Sequence, residues 1–309
     1  DVVVSSGNSI DSSGSVMVTS GNSKESSAGN VEVTTGSSVI GDGAQLNFEA
    51  GKTLSRSGSG GDVILRSGQG SKASGSVKIS SRDAEVVGDI SISSGNSDDG
   101  VSGRISMVAG RSITAKGAPV LIKSGDSSME GGDVEVGGGT GTVGGSVRIF
   151  GGTGVTGIGG DITLRAGASD GASSGGFTDL AGGFTSEGGN DGGTISLRGG
   201  DTASRQKGGP VLISGGVSSG QGGSVTIASG PGLEEESGSI FIRSGSPKKS
   251  SSGSVIVSTA SSTDSQAGNI VLSVGNSGNS HSGGAIDVSS GTGFEGGSLS
   301  LSSGIGNVG

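Results

Sequence analysis

One eight-residue pattern, G-x-[VIL]-x-[VIL]-x-[ST]-G, recurs along the whole chain and sets the terms for any fold. It reads GSVMVTSG at Gly14–Gly21, GDVILRSG at Gly61–Gly68 and GSVTIASG at Gly223–Gly230. It returns as GSIFIRSG at Gly238–Gly245 and GSLSLSSG at Gly297–Gly304. Counting the first aliphatic residue of each copy as an anchor, from Val2 and Val16 to Ile286 and Leu299, gives 21 copies spaced 13 to 18 residues apart. Phe177 serves as the anchor of one copy. Regular self-similarity of this kind marks a repeat architecture, in which each unit needs its neighbours to bury an apolar face.

Each copy alternates with period two. In GSVMVTSG, Gly14, Val16, Val18 and Ser20 face one way, and Ser15, Met17 and Thr19 the other. That is the pattern of a half-buried strand. The stretches between copies, such as GNSKESSAG and GSPKKSSSG, are polar and rich in Gly and Ser, and read as turns. No helical spacing occurs. The prediction is an all-β chain, a parallel β-solenoid (β-helix) of strand–turn motifs about 15 residues long. Residues 1–309 would form a single continuous solenoid, a fragment of a longer repeat array. Equivalent strands would stack about 4.8 Å apart, and the glycine at each strand end would supply positive φ at the corners and close backbone approach.

A coil holds one motif or two. One motif of about 15 residues would set Val and Ile against a Ser/Gly wall; two, about 30 residues, would pack two Val/Ile rows face to face. Variable turn lengths favour two. The expected core consists of the anchor pairs Val16/Val18, Val63/Leu65, Val134/Val136, Ile162/Leu164, Val225/Ile227 and Ile240/Ile242. The residue between anchors is apolar in the odd copies Val3, Ile64, Leu121, Leu212, Phe241 and Val271, against only Met17 and Ile256 in even copies. That imbalance predicts an outer apolar stripe for lateral contact between neighbouring molecules. The alternative is chance use of good β-formers. The rhythm breaks near 37–59, which holds Phe48, and near 168–192, which holds Phe177 and Phe184. These are expected to be irregular coils whose Phe side chains plug the core.

Composition narrows the function classes. Of 309 residues 71 are Gly, and Cys, Trp and Tyr are absent. Disulfides and thiolate metal sites are therefore excluded. A net charge of −9 disfavours nucleic acid and anionic membranes as partners. No apolar run is long enough to insert in a bilayer. None of the ten Asn begins an N-x-[ST] sequon, whereas Ser and Thr hydroxyls are numerous enough to carry O-linked sugar.

Candidate chemistry is sparse. G-x-G-x-x-G occurs at Gly139–Gly144 and Gly152–Gly157, but no helical pattern follows to present an N-terminus to phosphate. Asp62, Asp133 and Asp161 sit beside strands, yet without the G-G-x-G-x-D spacing of calcium-binding rolls, and read as surface turn residues. Glu234–Glu236 and the pair Lys248/Lys249 read as solvated faces. His281 lies in a Gly/Ser turn with no orienting partner nearby in sequence. No catalytic residue, cofactor site or metal site is predicted, and the chain is not expected to be an enzyme.

The motifs GGSVTIASG and GGDITLRAG, with Ser/Gly turns at this period, resemble the Ser/Gly-rich repeats of very large secreted proteins of stramenopile algae and oomycetes. The resemblance spans essentially the whole chain and rests on rhythm and composition. It implies an extracellular or cell-surface fibre, of the kind found in flagellar hairs, adhesives or matrix, and transfers no functional residues. The expectation is a structural filament subunit, stiffened by stacked coils, whose partner is itself, end to end and laterally. The alternatives are a passive stalk of a cell-surface adhesin and an ice-binding solenoid. The latter wants ranks of Thr at outer positions, where this chain has Met17, Glu32, Lys78, Arg148, Thr226 and Asp287.

Overall fold

A computed structural model describes residues 1–171, 173–186 and 191–306. It falls into two units, Asp1–Arg148 and Ile149–Gly309, divided inside the copy that holds Val147 and Ile149. Among the described residues there is no helix and no strand. The β-solenoid expected from the period-two pattern is therefore not the fold, whether with one motif per coil or two. The aliphatic copies are extended segments with no ladder partner, joined by bent polar loops.

The hydrogen bonds show why. Fourteen backbone–backbone bonds occur among the described residues, and none joins residues more than ten apart. A folded chain of this length would have about 200. Not one of the fourteen uses an N–H or C=O of an anchor residue. Period-two alternation reports which side chains share a face of an extended segment. It does not report whether anything lies against that face. With two aliphatic side chains per repeat and Gly or Ser at about half of the other positions, there is little apolar surface to offset the backbone entropy of stacking.

Exposure agrees. No described residue is buried. The chain presents 31548 Å² of accessible surface, where a folded protein of this mass presents about 11,000 Å² and a fully unfolded one about 42,000 Å². The side chains expected to form a core are open: Ile162 keeps 51% of its surface and Leu164 66%. Val16, Val18, Val63, Leu65, Val134, Val136, Val225, Ile227, Ile240 and Ile242 are likewise exposed.

What the structure does repeat is a closed loop. In the Asp1–Arg148 unit the amides of Gly61, Gly75, Gly132 and Gly145 donate to the carbonyls of Gly51, Gly68, Gly125 and Gly139 at 2.8–3.0 Å. In the Ile149–Gly309 unit the same bond joins Gly160 to Gly152, Gly176 to Gly167, Gly193 to Gly183, Gly209 to Gly200, Gly223 to Gly216, Gly238 to Gly230 and Gly297 to Gly291. Donor and acceptor are six to ten residues apart. The polar loops thus differ in length but share a base, as compact surface loops do. Serine and threonine hydroxyls fold the tips: Ser38, Ser97 and Ser112 accept from the amides of Gly41, Gly100 and Ala115 at 2.9–3.0 Å, the local side-chain turn that makes these residues common in loops.

The shared base also corrects the register. Gly176 closes its loop, so Thr178 and Leu180 take the two anchor positions and Phe177 falls one place early. Phe177 is 88% exposed and Leu180 58%. Phe48, Phe177 and Phe184 plug nothing; all three stand in solvent. The irregular stretch expected at 168–192 lies partly outside the described residues, at 172 and 187–190.

Candidate functional site

The loop bases are the most covered places among the described residues. Eight described residues are half-covered, and each immediately precedes the glycine that opens a loop; Ser6, Ala50, Ala109, Ser124, Ala166 and Ser244 are six of them. Gly199 and Gly215 are the other two. All are small for a reason that the closing glycines make plain. A β-carbon built on Gly75 would lie 3.5 Å from Cβ of Ser67, and one on Gly132 would lie 3.4 Å from Cβ of Ser124. The base is a contact between two residues that have almost no side chain between them.

Five bases are tighter. At Gly138, Gly151, Gly182, Gly199 and Gly215 an added β-carbon would overlap the carbonyl oxygen of the glycine that closes the loop. These are the closed loops that begin with a glycine pair; the loop between them that opens with Ala166 and Gly167 is not among the five. No described glycine has φ between +20° and +160°. Of the two expected uses of these glycines, positive φ at the corners is therefore not their role. Close approach of two backbone segments is. Gly199→Ala should separate the base and return the Gly209 amide to the exchange rate of an open chain. Gly200→Ala, whose β-carbon would meet nothing within 4 Å, should leave Gly209 protected; residue-resolved amide exchange by NMR checks both.

The residues expected to form an outer stripe are exposed, with no contrast between odd and even copies. Ile64 at 61% and Leu212 at 88% bracket Met17 and Ile256. Arg243 places its guanidinium 5.5 Å from the ring centre of Phe241, so one face of that ring is met by its own motif.

Among the described residues no cluster of groups suited to chemistry is gathered. Gly139 and Gly152, which open the two G-x-G-x-x-G matches, are loop-base acceptors, and no helix follows either loop. Among the described residues no three His, Asp or Glu side chains come together as a metal site. Asp62, Asp133 and Asp161 stand apart and exposed. The described ion pairs are Lys123–Asp126 at 2.6 Å and Arg198–Asp201 at 3.3 Å, each joining the end of an aliphatic segment to the loop that follows it and mostly exposed, where such pairs contribute little. His281 Nδ1 lies 3.1 Å from the Ser280 hydroxyl, and its amide donates to Gly278 across a tight turn. An open recess is lined by Ser80, Ser81, Arg82 and Asp83. No described helix is long and apolar enough to cross a membrane. No protein-family model, curated protein or solved structure matches the chain.

Proposed function

We propose that the chain is a structural subunit of an extracellular fibre, and that its order is completed by other copies of itself. The observation that carries this reading is a repeated apolar surface that stays exposed among the described residues. Val/Ile pairs recur about every 15 residues along a chain that buries no described side chain. Apolar surface on that scale drives association. A partner with the same period covers pair after pair in register, and the partner that has this period by construction is a second copy. Stiffness then belongs to the assembly rather than to coils stacked within one molecule. The extracellular setting rests on the resemblance of GGSVTIASG and GGDITLRAG to the repeats of secreted algal and oomycete proteins.

A concentration series by sedimentation velocity, with electron micrographs of the same samples, tests the reading. Growth from a slow-sedimenting species to filaments as concentration rises is the expected result. A single monomeric species at every concentration would remove the basis for a fibre.

A further inference from the structure

We infer that two copies pair with their repeats antiparallel, because where a repeat is charged at its ends the sign is acidic at the first position and basic at the last in all but two cases. This rests on the fibre reading and adds a direction to it. In each copy the residue just before the first anchor and the residue just after the second lie on the same side of the segment. Where the leading residue is charged, it is Asp1, Asp62, Asp89, Asp133, Asp161 or, with opposite sign, Arg104. Where the trailing residue is charged, it is Arg66, Lys123, Arg165, Arg198, Arg243 or, with opposite sign, Glu49. Two copies carry both ends of the pattern: Asp62-Val-Ile-Leu-Arg66 and Asp161-Ile-Thr-Leu-Arg165.

No pairing inside one chain uses this arrangement. Four residues of extended backbone span about 13 Å, so Asp62 does not reach Arg66, nor Asp161 Arg165. Loop closure brings the trailing end of one copy beside the leading end of the next. That places Glu49 with Asp62, two acids, Arg66 with Ser76 and Arg165 with Phe177. Lys123 and Asp133 are the favourable case, and Lys123 is bonded instead to Asp126. Asp62, Arg66, Asp161 and Arg165 are all exposed, and no ion pair involves them among the described residues.

The backbone between these charges is free as well. The described N–H and C=O groups of residues 62–66 and 161–165 make no backbone hydrogen bond, so both edges of each segment can add a partner strand. The direction of that partner follows from the charges. Parallel, in register, puts Asp opposite Asp and Arg opposite Arg. Antiparallel puts the leading Asp of one copy opposite the trailing Arg of the other, twice per pair, while the Val/Ile anchors still meet. Opposite charges directly across a pair are favourable and like charges unfavourable.

The test uses the full chain and three proteins, compared by sedimentation at one ionic strength. The double variant Asp62→Arg, Asp161→Arg makes both ends of these copies basic. The fourfold variant adds Arg66→Asp and Arg165→Asp, which swaps the ends and restores the net charge of −9. Antiparallel pairing predicts that the double variant associates roughly tenfold more weakly, although its net charge lies closer to zero, and that the fourfold variant recovers. Equal or stronger association of the double variant, or failure of the fourfold variant to recover, would overturn the pairing and leave the fibre reading standing. An unmodified chain that never associates would overturn both.

Discussion

Heated in dilute solution, the isolated chain is expected to give no cooperative unfolding endotherm. A folded protein of 309 residues would absorb about 200 kcal/mol at its midpoint. That heat comes from separating packed side chains and breaking backbone bonds together. Here no described side chain is buried, and the backbone bonds close one loop at a time. Each loop base opens without disturbing the next, so the trace should be a shallow slope. Differential scanning calorimetry at low micromolar concentration checks this, and a sharp endotherm of the folded size would mean that the aliphatic pairs are packed within one molecule. For the same reason the dependence of any optical signal on urea should be nearly flat, since little surface remains to be exposed.

The second large effect concerns assembly. Val225→Ser, Ile227→Ser, Ile240→Ser and Ile242→Ser in one chain remove two successive aliphatic pairs. Full burial of such a side chain contributes about 1.5–3 kcal/mol, and these four are already partly covered. About 1 kcal/mol each raises the concentration needed for half-association by roughly a hundredfold to a thousandfold. The hydrodynamic radius of the unassociated chain should not change, because the anchors hold nothing together within it. Val217→Ser with Leu233→Ser serves as the control. Those residues sit in loops and are almost fully exposed, so loss of two aliphatic side chains there should leave assembly nearly intact. Expansion of the isolated fourfold variant would instead point to an intramolecular role for the anchors.

Periodicity in the sequence located the glycine-closed loops and, Phe177 apart, the anchor pairs, because glycine spacing and apolar alternation are local facts. It did not reveal what covers the pairs. Alternation at Val16/Val18 or Ile162/Leu164 is the same whether the facing surface is another coil, another molecule or water, and in the structure those side chains are exposed. The misassigned anchor at Phe177 has a similar origin. Matching on apolar residues selected Phe177; matching on the glycine two places before an anchor selects Gly176 and hence Thr178, and narrows the spacing between copies to 13–17 residues. The tight loop bases were also legible, in the glycine pairs at Gly138/Gly139, Gly151/Gly152 and Gly199/Gly200, but as a need for missing β-carbons rather than for positive φ. The polarity of Asp62/Arg66 and Asp161/Arg165 is visible in the sequence too. It acquires meaning only once the structure leaves those charges without partners.

Amide hydrogen exchange at the anchor positions, followed from dilute monomer to assembled material, is the most direct test of order arriving with association. Val63, Ile162, Val225 and Ile240 should exchange as an open chain does when dilute, and become protected together as the sedimenting species grows. Protection of those amides already in the dilute monomer, unchanged on assembly, would contradict it.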